Sequence, residues 1–370
     1  MNWYVIPPMD TVGVKPRLLT GDRPTGPLHI GHFVGSLQAR VALQDSHECF
    51  FIVADLHTLT TRPEKSYIGE LPKHVRNVVL DLLSVGVDPK RATVYLQSGV
   101  PAVYDLAILL QMLVSTSRLS RIPSLKDMAR SAHLDENTMP LGLLGYPVLQ
   151  AADILMARAQ VVPVGKDNEA HVEIARELAR RFNHLYGEVF PIPEAMISRV
   201  PVLPGVGTGE GGAFTKMSNS AGNAVFLDDP TDEVARKIRT IPGDPKRVHA
   251  ATPGEPGGTS LFAFVDAFLP KARADKLAED YRSGTVRDGD IKDELIASLE
   301  AILVPLRARR AQLAGETGFV DEILVDGTIR AREVAYQTLQ KVRDAMGLEQ
   351  LWSDLVAATG KRAQRRKRSP

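Results

Sequence analysis

The first half of the chain alternates short apolar runs with amphipathic stretches, and this alternation limits the fold more than any other feature. Arg17–Thr20, Phe50–Ala54, Thr93–Gln97 and Gln160–Val164 read as strands. Phe50–Ala54 (Phe-Phe-Ile-Val-Ala) has the unbroken apolar character of a strand buried on both faces. Helical spacing runs between them: from about Leu28 to Gln44; across Lys73–Val85, where Val75, Val78, Val79, Leu82 and Val85 share a face; and across His171–Phe182, with Ile174, Leu178 and Phe182 on one side. Gly86 is placed to end the second helix and Asp88-Pro89 to turn the chain. Alternation of this kind predicts an α/β unit, a doubly wound parallel sheet wrapped by helices.

The pattern changes near residue 228. Pro230 stands where a first helical residue is expected, behind Asp228 and Asp229. Beyond it two helical stripes are clear, Ile291, Leu295, Leu299, Ile302 and Leu306, then Ala331, Ala335, Leu339, Val342 and Met346, with Gly347 placed to stop the second. No strand pattern follows. The reading is an N-terminal extension (1–16), an α/β domain (17–228), an all-helical domain (229–356) and a basic tail (357–370). A length of 370 residues accommodates two domains.

Composition removes several classes. A hydrophobic fraction of 44% and a charged fraction of 24% exclude a disordered chain, a collagen and a membrane bundle. The single cysteine, Cys49, excludes an intrachain disulfide, a Cys-rich zinc site and a Cys-held iron–sulfur cluster, and points to a reducing, cytoplasmic setting. Residues 1–16 carry no signal-peptide pattern, and no apolar run approaches the length of about 20 residues that a membrane span needs. Net charge is +1, but the last ten residues hold six Lys or Arg and no acid, leaving the rest net acidic. A solvated tail and a phosphate-binding tail both fit that end.

Four segments carry chemistry. Thr20-Gly-Asp-Arg-Pro-Thr-Gly-Pro-Leu-His29-Ile-Gly31-His32 leaves a strand, is rich in turn residues and opens a helix, a setting where backbone N–H groups attract anions. It is not a Walker loop, because His32-Phe33 stands where Lys-Ser/Thr is required. His29 and His32 can each donate to a phosphate oxygen; a capped helix with two surface histidines is the plain alternative. Lys216-Met-Ser-Asn-Ser220 follows a glycine-rich stretch, so its lysine can reach a polyphosphate or remain a solvated loop residue. In Tyr146-Pro-Val-Leu-Gln-Ala-Ala-Asp153-Ile-Leu, Asp153 sits in an apolar helix and needs a partner, either a core ion pair or a ligand donor. Asp167, in Val161-Val-Pro-Val-Gly165-Lys-Asp167-Asn168, follows a strand and a glycine and can accept ribose hydroxyls.

Taken together these segments resemble the class I aminoacyl-tRNA synthetases, in particular the bacterial-type tryptophanyl branch, from about Arg17 to Gly347. The resemblance implies a Rossmann-like catalytic domain followed by a helical domain that reads tRNA. It implies that His29, Gly31, His32, Arg23, Pro24 and Thr25 line an ATP pocket. Gly165, Lys166 and Asp167 would flank the ribose. Lys216, Met217, Ser218, Asn219 and Ser220 would close over the pyrophosphate, with His29, His32, Lys216 and Ser218 catalytic. Asp153 would accept an indole N–H, with Tyr146, Gln150, His57, Val162 and Val164 around the amino acid. The implied partners are L-tryptophan, tRNA(Trp) and a second copy of the chain, with Mg²⁺ carried mainly by ATP, no protein metal site, no DNA and no membrane.

The sequence departs from that family in places. The usual Lys-Met-Ser-Lys-Ser has Asn219 for its second lysine, and Gly-Glu-Asp-Gln has become Gly165-Lys166-Asp167-Asn168. Pro123-Ser124-Leu125-Lys126 keeps only the lysine of Thr-Gln-Phe-Lys, and Leu19 replaces a frequent aromatic. Three alternatives stay open at this level: a tyrosine-activating relative, a divergent copy taking modified tryptophan, and a non-catalytic synthetase-like module that binds RNA or protein.

Overall fold

The computed structural model describes residues 15–131, 138–165, 168–197, 202–207, 215–219, 221–247, 249 and 252–366. Five strands, β1 (Arg17–Asp22), β2 (Glu48–Val53), β3 (Ala92–Leu96), β4 (Val161–Val164) and β5 (Glu194–Ile197), form one all-parallel sheet in the order β3-β2-β1-β4-β5. The first four lie within two residues of their expected places. β5 is additional; Glu-Ala-Met-Ile is too short and mixed to register as an apolar run. Alternate side chains enter two cores. Leu18, Phe51, Val53 and Val94 join one; Leu19, Phe50, Ile52 and Tyr95 join the other. Burial on both faces explains the unbroken apolar run of β2. Strand order reverses between β1 and β4, so a crevice opens beyond their carboxyl ends.

Helices cover both faces: α1 (residues 30–43, with a π turn at Phe33–Leu37), α2 (Lys65–Ser84), α3 (Ala102–Gln111), α4 (Leu141–Met156) and α5 (Glu169–Tyr186). α2 begins eight residues before the expected Lys73, because its first two turns are largely exposed and leave no periodicity to read. Among the described residues everything past 228 is helix or connection: α6 (Thr231–Arg239), α7 (Ser260–Phe268), α8 (Lys271–Ser283), α9 (Asp288–Gly315), α10 (Phe319–Ala345) and α11 (Leu348–Arg366). α6 starts one residue later than expected, with Pro230 as its extended cap rather than its first helical residue. The stripes on α9 and α10 face inward as their spacing requires, with Leu303 added to the first and Ile302 and Met346 only half-buried.

α10 lies along β3, one of the two edge strands of the sheet. Leu96 N–H donates to Thr328 Oγ1 at 3.1 Å, and Arg332 Nε donates to the Gly99 carbonyl. A bare strand edge offers unpaired backbone groups to any passing strand, and α10 removes that hazard. The approach is close enough to require glycine: a Cβ at Gly327 would lie 1.8 Å from the Val94 carbonyl oxygen. Gly327→Ala should therefore lower stability by about 3 kcal/mol, as an overpacked core does. Gly69→Ala, on an open stretch of α2, should gain about 0.5–1 kcal/mol. Denaturant melts of the two variants check the contrast.

Candidate active site

The two loops expected to share a polyphosphate meet in space. The backbone at Leu28–Ile30 pairs antiparallel with Val225–Leu227, which follows the lysine loop: Ile30 N–H donates to Val225 O at 2.9 Å and Leu227 N–H to Leu28 O at 3.0 Å. The lysine loop is pinned in turn, with Met217 N–H donating to Leu203 O at 3.1 Å and Asn219 Nδ2 to Pro27 O at 3.1 Å. Met217 turns inward and is buried, its sulfur 3.6 Å from where a Gly31 Cβ would stand. That same Cβ would lie 2.9 Å from His29 Nδ1, so only glycine lets the imidazole pack flat against the helix start.

A cleft of about 130 Å³ opens here, lined by Asp22, Arg23, Thr25, Gly26, Leu28, His32 and Asn219. The rings of His29 and His32 lie 3.7 Å apart. His32 Nδ1 accepts the His29 backbone N–H at 3.2 Å, which leaves the ring proton on Nε2. Burial, then the neighbouring His32 and Lys216, push His29 down to about 3, and burial also lowers His32. Both rings are therefore neutral N–H donors at pH 7. Exposed Arg23 and Lys216 supply formal positive charge at the surface of the site.

Beneath the cleft lies an ion pair that sequence periodicity does not disclose. Arg40 on α1 is 1% exposed and grips both oxygens of Asp22 at the end of β1. Burial alone would raise the Asp22 carboxyl, but Arg40 holds it below its ordinary value. An arginine in an amphipathic helix reads as a surface residue. Only the acid left facing the core at the end of β1 hints at a buried partner.

The other expected nucleotide residues are placed as follows. Pro24 is buried, its carbonyl accepting from Tyr67 Oη at 3.1 Å, and Thr25 is exposed at the rim. Gly165 sits exposed just past β4. Ser218 Oγ accepts the Ala221 N–H at 3.3 Å and so shapes the lysine loop. Lys166, Asp167 and Ser220 lie outside the described residues.

Asp153, on α4, is 2% exposed. Its Oδ2 accepts from Gln97 Nε2 at 2.6 Å and from His57 Nε2 at 3.1 Å, whereas its Oδ1 is buried with no partner among the described residues. Gln97, just past β3, completes the clamp by accepting the His57 backbone N–H at 3.4 Å. Nothing in the sequence singles out Gln97. Its signal is positional, a polar residue at the carboxyl end of a parallel strand. Burial raises the Asp153 carboxyl, with His57 and Gln97 working against it. Tyr146 and Gln150, also on α4, meet His171 of α5: Tyr146 Oη lies 2.7 Å from its Nε2, and Nδ1–H donates to Gln150 Oε1 at 2.8 Å. Ser124 joins this network at 2.6 Å from His171 Nε2. Val162 is buried and Val164 half-buried on β4, in the same core as Tyr146.

Known proteins resemble this chain in sequence and fold. A family model described as "tRNA synthetases class I (W and Y)" matches residues 12–304. The chain belongs to that family. Among other members, the Tryptophan--tRNA ligase of Treponema pallidum is 54% identical over 335 residues, covering 90% of this chain and 97% of the relative. The Tryptophan--tRNA ligase of Thermotoga maritima is 40% identical, covering 90% and 99%. The structure of tryptophanyl-tRNA synthetase from Campylobacter jejuni, complexed with ADP and tryptophan, superposes with a TM-score of 0.75 at 31% identity, over 90% of this chain and all of that one.

This class I synthetase keeps Asp153 at a thermodynamic cost. Its carboxyl pKa is raised on folding, so the folded chain binds that proton more tightly than the unfolded chain does. The penalty is absent below the unfolded value near 3.8 and grows as pH rises toward the folded value, about 1.4 kcal/mol per unit of elevation. Asp153→Asn should therefore compare more favourably with the parent at pH 7 than at pH 4. Melting temperatures of both proteins across that range measure it.

Proposed function

We propose that this chain uses ATP to activate L-tryptophan, forming tryptophanyl-adenylate and diphosphate, and then transfers tryptophan to tRNA(Trp). The observation that carries this reading is the unpartnered Oδ1 of Asp153, a buried acceptor that an indole N–H would satisfy. Relatives named Tryptophan--tRNA ligase, one of them 54% identical, support it.

A carboxylate with a pKa of about 3.5 is already ionised at pH 7, so attack on the α-phosphorus needs no general base. The protein's part is alignment and charge stabilisation. The neutral Nε2–H of His32, the His29 ring, Arg23 and Lys216 would bind phosphate oxygens, with Ser218 and Asn219 shaping the loop between them. Gly165, Lys166 and Asp167 would hold the ribose, and Mg²⁺ would be held by ATP oxygens and water. Phenylalanine would leave Asp153 Oδ1 without a donor, a loss of about 1–3 kcal/mol beyond that of a poorly filled pocket. Asp153→Ala should cut kcat/KM for tryptophan by on the order of 100-fold while leaving KM for ATP within about three-fold. Tryptophan-dependent diphosphate exchange measures both. Tyrosine and ring-substituted tryptophans run alongside test the alternative substrates, and absence of exchange with tryptophan in the parent would refute the reading.

The same reading makes residues 229–356 the tRNA-reading domain, the protein cytoplasmic and the working unit a homodimer. An exposed apolar stripe along α3 and its C-cap supports the dimer: Tyr104, Ile108 and Met112 recur every fourth residue at 40%, 55% and 70% exposure, and the adjoining α10 also exposes Ile329 and Tyr336. Ile108→Glu is expected to convert a dimer to a monomer in light scattering.

A further inference from the structure

Asp81 lies on α2, outside the catalytic groups assigned above, and its side chain is 1% exposed. Its two oxygens face opposite ways. Oδ2 accepts the backbone N–H of Leu28, the residue before His29, at 3.1 Å; Oδ1 accepts from Arg310 Nε of α9 at 2.7 Å. Arg310 also donates to Asn77 Oδ1 at 3.2 Å, and Asp228 lies 3.9 Å from its guanidinium. One turn earlier on α9, Arg307 Nη1 donates to the Asp229 carbonyl at 2.6 Å. The Asp229 carboxylate in turn accepts the N–H of Phe226, which pairs with His29, at 2.8 Å. Arg310 therefore reaches the histidine loop through Asp81, and Arg307 reaches the segment paired with that loop through Asp229.

A buried N–H needs an acceptor, but any neutral oxygen would satisfy it. A carboxylate there is costly, and burial pushes Asp81 up to about 6 even with Arg310 against it. Buried ion pairs add little net stability compared with apolar packing, and in some proteins their attested role is to fix geometry. We propose that Asp81 is a positioning residue for the nucleotide site, bracing the backbone before His29 against Arg310 of α9, so that the helical region sets how well the histidine loop grips ATP. This rests on reading that loop as the ATP site.

The test is diphosphate exchange with Asp81→Asn, Arg310→Gln and the double variant, with ATP and tryptophan varied separately. Each single variant should raise KM for ATP about ten-fold, the worth of one charged hydrogen bond, while KM for tryptophan stays within about two-fold. The double variant should be no worse than the worse single one, because one brace is lost only once. An unchanged KM for ATP, a parallel rise for both substrates, or additive losses would overturn the proposal. Should either variant fail to fold, Arg310→Lys keeps the charge but not the geometry and is held to the same split. If the parent shows no exchange with tryptophan, the function fails instead, and calorimetric binding of ATP to the same variants still decides the brace.

Discussion

Two short backbone segments, Leu28–Ile30 and Val225–Leu227, hold the site together. Their hydrogen bonds join regions that the chain keeps far apart, and each fixes the other's height above the sheet. The histidines arrive with the first segment and the lysine loop just ahead of the second. A cleft assembled from two loops distant in sequence needs such a tie to hold one loop against the other. Asn219, bonded to the Pro27 carbonyl, adds a second tie across the same gap. The residue that costs the loop a cation thus contributes to its placement.

The electrostatics follow from burial rather than from formal charge. Two imidazoles pressed together under a helix start are neutral, so they act as aimed N–H dipoles. Fully buried Arg40 is matched by Asp22 and leaves little net field of its own. Mobile positive charge is left to side chains at the rim. Such a site can draw in a polyanion without a deeply buried unpaired cation, whose desolvation would be prohibitive.

Much of this is legible in the sequence because it is local. β2 is recognisable from its apolar run, α5 and α9 from their stripes, and the histidine loop from its position between strand and helix. Asp153 stands out because an acid among Ala, Ile and Leu demands an explanation. What escapes is tertiary. Gln97 is one of many polar residues at a strand end, and only folding brings it to 2.6 Å from Asp153. β5 is a four-residue edge without a pattern, and the first turns of α2 have no buried face to betray them. Gly327 reads as a helix weakness until the Val94 carbonyl is seen against it. Asp81 falls on the predicted face of α2 among valines, yet its two partners come from elements 53 and 229 residues away.

The late position of α10 has a consequence for biosynthesis. Thr328 follows the Leu96 amide that it caps by 232 residues. At ribosomal speeds of about 5–20 residues per second, the outer border of the sheet waits on the order of 10–50 s for its cover. Throughout that interval a nascent chain presents β3 as an open template to its neighbours on the same polysome. Until α10 is in place, that strand keeps the unpaired edge that the finished fold covers.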